Sequence, residues 1–182
     1  AGTDDYRLSL RRKFQEGGLV SKSPTEEYMT HLADREGFKN EVYLDSLGLP
    51  TAGTGHLLTA EERKKYKVGD IIPEDVTTEW LKKDSAKAYE AALSQAKELG
   101  IEDQDMINAL GSVNFQLGTS WNSKFKGVWK AMKSGDFNLA ASEAMYKKPS
   151  DKDKGHSAWY TQTPTRVDDF VEALKKHGGK IK

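Results

Sequence analysis

The sequence contains no cysteine. That excludes disulfides, thiolate metal sites and cysteine nucleophiles together. Net charge is absent as well: 28 Lys and Arg stand against 28 Asp and Glu. Dedicated nucleic-acid binders carry a basic excess, so none is read here. No apolar run approaches the ~18 residues of a membrane span, and no basic-then-apolar leader opens the chain. The histidines, His31, His56, His156 and His177, are scattered without ligand spacing, so neither a metal nor a cofactor is expected. A G-x-S-x-G nucleophile elbow is also missing. What is there suits one domain or two small lobes: 182 residues, with four Trp, six Phe and seven Tyr to build a core.

Charge is unevenly placed along the chain. Residues 1–120 hold 15 basic and 21 acidic side chains, and residues 121–182 hold 13 and 7. The C-terminal excess reads either as a surface for an anionic polymer or as solvated helix faces. Residues 1–22, with Gly17, Gly18 and the basic run Arg11-Arg12-Lys13, read as an arm or linker. Ser23-Pro24-Thr25-Glu26 is a capping box that predicts a helix to Glu36, stopped by Gly37. From Glu41 to Leu58 the Gly48-Leu49-Pro50 turn and the glycines at 53 and 55 predict tight hairpins. Thr59-Ala60-Glu61-Glu62 is a second capping box, opening a short charged helix that ends near Tyr66. Pro73 to Leu99 has no breaker, which predicts a helix of roughly 25 residues, roughly 38 Å long, closed by Gly100. Further helices are predicted at about 104–117, 124–133, 137–146 and 165–176, around a charged loop from Lys147 to Gly155. The outcome is a mostly helical α+β chain. A small hairpin sheet lies at about 37–72, a bridging helix at about 73–99 and a helical lobe at about 100–177, with a ligand cleft between the lobes.

Three stretches carry residue types that do chemistry. Tyr28, Leu32 and Glu36 fall at i, i+4 and i+8, so the Glu36 carboxyl emerges at the edge of an apolar stripe. It also sits in the last helical turn, where burial and the helix dipole both favour the protonated form. That suits a general acid, and the same spacing equally describes a surface glutamate near a helix end. Asp45 precedes the turn from Ser46 to Pro50, either as an ordinary turn-starting aspartate or as a carboxylate kept ionised by water. Two carboxyls in such contrasting settings are what glycoside hydrolysis uses. Thr51-Ala52-Gly53-Thr54-Gly55-His56 is no phosphate loop, because the lysine and the third glycine are missing. Read as a strand, it puts Thr51, Gly53 and Gly55 on one bare face, with the Thr51 hydroxyl free to hold water. On the long helix Trp80, Asp84 and Ala88 share a stripe that places an aspartate on the buried side. His56 is predicted to partner Asp84 in a structural ion pair.

The block Glu36-Gly37-Phe38, Tyr43-Leu44-Asp45, Gly48 and Thr51 to Thr59 closely resembles the T-even phage lysozyme family, glycoside hydrolase family 24. Asn114-Phe115-Gln116-Leu117-Gly118 and the run from Trp159 to Arg166 match downstream. The resemblance spans about residues 24–176 in the right order. It implies a two-lobed lysozyme-like domain over 23–182. The implied reaction is hydrolysis of the β-1,4 bond between N-acetylmuramic acid and N-acetylglucosamine in peptidoglycan, with inversion. Glu36 is implied as general acid, Asp45 as general base and Thr51 as the residue that positions water. Leu57, Phe115, Gln116 and Thr163 are implied as substrate contacts. There are departures: residues 1–22 have no counterpart, Ser112 stands where relatives often carry Asn, and the loop Lys147 to Ser157 is longer and more charged. The other enzyme reading is a lytic transglycosylase, which retention of Asp45 and Thr51 disfavours. From another class, a wall-binding or structural virion module is the alternative. A monomer acting in the periplasm, from a phage virion or the host cytoplasm, is expected. The Ala1 start and the polar end, Gly178 to Lys182, read as an excised domain of a virion protein, with the 1–22 arm meeting other virion proteins.

Overall fold

The computed structural model describes residue 21 and residues 23–180. The segment read as an arm, residues 1–22, lies outside the described residues apart from Ser21. Ser21 is tied down: its N–H donates to Gln104 Oε1 at 2.8 Å and its carbonyl accepts from the Tyr89 hydroxyl at 2.6 Å.

Helix α1 runs Glu26–Glu36 and buries Tyr28 and Leu32, the stripe predicted from spacing. Its cap differs from the predicted one. Thr25, not Ser23, is the N-cap, and its hydroxyl accepts from the Tyr28 N–H at 3.1 Å. A capping oxygen reaches the N–H two or three residues on, so the serine two places earlier is too far from the first orphan donors.

Three short strands follow, β1 Lys39–Leu44, β2 Pro50–Gly53 and β3 His56–Leu57, antiparallel in the order β1-β2-β3. Helix α2, Ala60–Lys65, has the predicted reciprocal box between Thr59 and Glu62. Helix α3 then runs Glu74–Leu99 without interruption, and Gly100 closes it in the left-handed conformation, with φ of 70°. Trp80 of α3 packs with Val42, Ala52, Leu58 and Ile72 in a small core beside the sheet. One end further on, Tyr89, Ala92 and Ala96 join a larger core with Leu110, Trp121, Phe170 and Leu174.

The larger core is built by α4 Gln104–Leu117, α5 Trp121–Lys124, α6 Lys126–Lys133, α7 Phe137–Met145, α8 Ala158–Gln162 and α9 Pro164–Lys180. The helix predicted at 124–133 starts two residues later, at Lys126; Phe125 precedes it with its ring on Trp159 at 5.0 Å, and the single turn α5 before it was not predicted. Helix α8 was not legible beforehand; it is one turn capped by the Ser157 hydroxyl. Helix α9 continues four residues beyond the predicted end, through Gly178 and Gly179. Gly178 lets it pass close to α7, since a Cβ there would stand 3.2 Å from Phe137. Inside this core Gln95, Asn114 and Trp121 bond one another, with Asn114 Nδ2 to Gln95 Oε1 at 2.8 Å. Their polar groups are buried yet satisfied.

Gly111 on α4 is held by packing. A Cβ there would come within 2.6 Å of the Tyr28 ring, which anchors α1 against α4. Gly111→Ala is therefore expected to destabilise the protein by roughly 1–3 kcal/mol through overpacking. A thermal melt within a degree of wild type would show that Tyr28 yields instead.

Candidate active site

Glu36 is the last residue of α1, and its side chain is 19% exposed. One carboxylate oxygen accepts from Nη1 of Arg166, a nearly buried guanidinium on the first turn of α9. Nη2 of Arg166 donates to the carbonyl and the hydroxyl of Ser112 on α4, both at 3.0 Å. The buried cation thus finds acceptors on two other helices, as burial of a charge requires. The other oxygen of Glu36 lies 3.5 Å from where a Cβ on Gly55 would stand. Gly55 also has φ of 70°, so a side chain there would strain the turn as well as crowd the carboxylate. The bare apolar edge predicted for Glu36 is thus corrected: it sits between a cation and a glycine turn. Arg166 lay within a recognised motif without a role, and 130 residues separate it from Glu36.

Asp45 begins the loop between β1 and β2. Its Oδ1 accepts from the N–H groups of Leu47 and Leu49, at 2.8 and 2.9 Å. Its own N–H donates to the Leu49 carbonyl, the bond that closes the loop. The turn-starting role of Asp is therefore real, and it leaves Oδ2 without a bond to any described residue. Thr51, in β2, is 4% exposed and faces Tyr43 and Leu57 across the sheet. Its hydroxyl donates to the Leu49 carbonyl at 3.0 Å. Leu49 thus couples the two residues through its backbone. The Thr51 proton is engaged, so toward a water this hydroxyl offers its lone pairs.

The continuous bare face over Thr51, Gly53 and Gly55 does not exist. Strand β2 ends at Gly53, and Thr54 and Gly55 form the turn into β3. Gly53 instead takes the backbone against α3, where its Cβ would meet Thr77 at 3.4 Å.

Among the residues implied as substrate contacts, Gln116 and Thr163 are joined, Nε2 donating to Oγ1 at 2.9 Å. Gln116 lies one turn beyond Ser112 on α4, and Thr163 immediately precedes α9. Leu57 is 46% exposed beside Thr51, while Phe115 is half-buried against the larger core. Ser112 spends its hydroxyl on Arg166. Among the described residues no cluster of three or more His, Asp or Glu is placed to hold a metal.

His56 and Asp84 meet, Nδ1 to Oδ2 at 2.6 Å, and the imidazole has a second partner in Glu62 Oε2, at 2.7 Å from Nε2. Asp84 is not on the buried side as predicted, since its side chain is 35% exposed. The sequence signal for Glu62 was present in the capping box, where the same oxygen also accepts from the Thr59 N–H at 2.9 Å. Two carboxylates facing both ring nitrogens require two donors, which only the imidazolium supplies. Trp80 stacks on the ring at 4.3 Å, its face suited to a cation. Burial by itself pushes the His56 pKa down, but the hydrogen bonds and charges of Asp84 and Glu62 outweigh it and the net shift is upward. Glu62 shifts the other way: burial raises it, and the bonds from Thr59 and His56 more than reverse that.

A family model for phage lysozyme matches residues 33–157, which include Glu36, Asp45, Thr51, His56 and Gln116. The chain belongs to the phage lysozyme family. Among its relatives, the probable T4-type lysozyme 2 of Dictyostelium discoideum is 30% identical, over 77% of this chain and 88% of that protein. The peptidoglycan hydrolase gp36 of Pseudomonas phage phiKMV is 28% identical over 86% of this chain. The chain spans only 16% of that phage protein's length. Family membership agrees with the mostly helical α+β lysozyme-like fold and its small three-stranded sheet. Thr163 and Arg166 lie beyond the matched segment.

The His56 cluster has a pH signature. With the folded pKa raised above ~6.5, its stabilisation is complete below that value and fades as pH climbs through the folded pKa. Glu62, lowered in the fold, contributes above its ordinary carboxylate range and loses that as pH falls through its folded pKa. Asp84→Asn should therefore cost about 1 kcal/mol, discounted for its exposure, chiefly at and below pH ~6.5, with turnover little changed. Melts across pH check this; equal losses at every pH would disprove the charge pairing.

Proposed function

We propose that the chain is a muramidase that hydrolyses the β-1,4 bond between N-acetylmuramic acid and N-acetylglucosamine in peptidoglycan. The observation that carries this reading is the contrast between two carboxyls. Glu36 is held at a helix end beside a buried guanidinium, and Asp45 is fixed in a solvent-facing loop tied to Thr51 through the Leu49 carbonyl. Membership of the phage lysozyme family supports it, as do the names of the two relatives, a lysozyme and a peptidoglycan hydrolase.

In this mechanism Glu36 delivers a proton to the leaving glycosidic oxygen. The carboxylate left behind is met by the Arg166 guanidinium, which already points at it. Asp45 keeps Oδ1 on the loop amides, so the carboxyl group stays in position while Oδ2 takes the proton of the attacking water and the group becomes neutral. Thr51 accepts a hydrogen bond from the same water and aims it at the anomeric carbon. Attack from the face opposite the leaving group inverts that carbon. Leu57, Phe115, Gln116 and Thr163 are assigned to the sugars on either side. No cofactor takes part in these steps.

The partner in this reading is the glycan strand, bound by a monomer in the periplasm. A phage virion or the host cytoplasm is the source, with phage entry or host lysis as the purpose; the phage relative supports that setting. Among the described residues no helix is long and apolar enough to cross a membrane.

Glu36→Gln keeps the shape of the acid but has no proton to give. It should lower lysis of permeabilised Gram-negative cells by at least ~10²-fold while the melting temperature stays near wild type. Wild-type products should end in reducing sugars. A lytic Glu36→Gln protein would remove Glu36 from its role, and 1,6-anhydro ends would indicate a transglycosylase.

A further inference from the structure

Two adjacent residues of α1 face two residues of α9 one turn apart, with the charges crossed. Glu36 meets Arg166, and Arg35 meets Asp169. The second pair is bidentate: Nε to Oδ2 at 2.8 Å and Nη2 to Oδ1 at 3.1 Å. His31, one turn back on α1, also approaches Asp169, at 3.4 Å. Burial pushes the His31 pKa down; Asp169 and Asp34 oppose this and the Arg35 and Arg166 cations add to it, with a net downward shift, so near neutral pH Arg35 is the cation that engages Asp169.

Between α1, α4 and α9 lies an open cavity of about 340 Å³, lined by Tyr28 and His31 from α1, Ser112 and Val113 from α4, and Asp169 and Ala173 from α9. Side chains reaching past a gap therefore set the spacing of α1 and α9 here, in place of continuous apolar packing. A bidentate guanidinium–carboxylate pair fixes distance and orientation together. Arg35 is one peptide unit from Glu36, and Asp169 is one turn from Arg166.

We propose that Arg35 and Asp169 are positioning residues, whose bidentate pair holds the ends of α1 and α9 so that Glu36 and Arg166 stay in register. The proposal rests on Glu36 being the acid. Neither residue touches substrate. Arg35 is 36% exposed and Asp169 28%, and pairs this open to solvent add little to stability. A loss of turnover without a matching loss of stability is thus the signature that separates positioning from support.

The experiment is a double-mutant cycle of Arg35→Gln and Asp169→Asn, with kcat and KM on soluble peptidoglycan fragments and a thermal melt for each protein. Misplacement of about 1 Å costs on the order of 10²-fold, so each single variant should lose roughly ten- to a hundredfold in kcat, with KM close to wild type. The double variant should lose no more than the worse single one, because both break one pair. Lys133→Gln, which breaks the surface pair with Glu98, should leave kcat unchanged. If Asp169→Asn does not fold, Arg35→Lys, which keeps the charge and loses the fork, carries the same test. Wild-type kcat in the single variants, additive losses in the double, or losses that track the melting temperature would each overturn the proposal. Glu36→Gln assayed in parallel separates the failures. If it is inactive while Asp169→Asn is fully active, positioning alone is wrong; if it is active, both readings fall.

Discussion

A single uninterrupted helix holds this protein together. Helix α3 has apolar residues for two separate cores: Trp80 for the one beside the sheet, and Tyr89, Ala92 and Ala96 for the one built by the later helices. The core beside the sheet has only five buried residues, and small cores are marginal on their own. The helix makes them one unit because its 26 residues contain no breaker. Asp84 lies between the two stripes, and from there it reaches His56 on the sheet. The same element therefore sets both the packing of the sheet and its polar anchorage.

The site uses a different device at each carboxyl. Asp45 is placed by local backbone: an aspartate at the start of a tight loop accepts amide protons a few residues on, as turn chemistry dictates. Thr51 belongs to the same loop through Leu49. Glu36 is placed by tertiary contacts alone. Its guanidinium partner comes from α9, is itself oriented by α4, and leaves one side of the carboxylate facing the glycine turn. Loop chemistry orients one carboxyl; helix packing positions the other.

Buried polar groups elsewhere follow the same economy. Gln95, Asn114 and Trp121 satisfy one another inside the larger core, and Ser112 places its hydroxyl on Arg166. The contact shows what a short hydroxyl does at Ser112: with the Ser112 carbonyl it completes the shell of a buried cation. Phe125 separates α5 from α6, and its ring packs on Trp159.

Local signals decided most of the secondary structure. The capping box at Thr59, the unbroken run to Leu99 with Gly100 beyond it, and the stripe of Tyr28 and Leu32 all act within a few residues, so they are readable in order along the chain. Residue types at fixed spacing made Glu36, Asp45 and Thr51 candidates beside ordinary structural readings, with roles implied only by the family resemblance, and they suggested the pairing of His56 with Asp84. Tertiary structure alone decided the rest. The guanidinium at Glu36, the second carboxylate at His56, the clasp of Arg35 and Asp169, and the contact of Gly53 with Thr77 each join segments by folding. An ion pair or a close approach depends on where two side chains end in space, and no periodicity along the sequence encodes that distance.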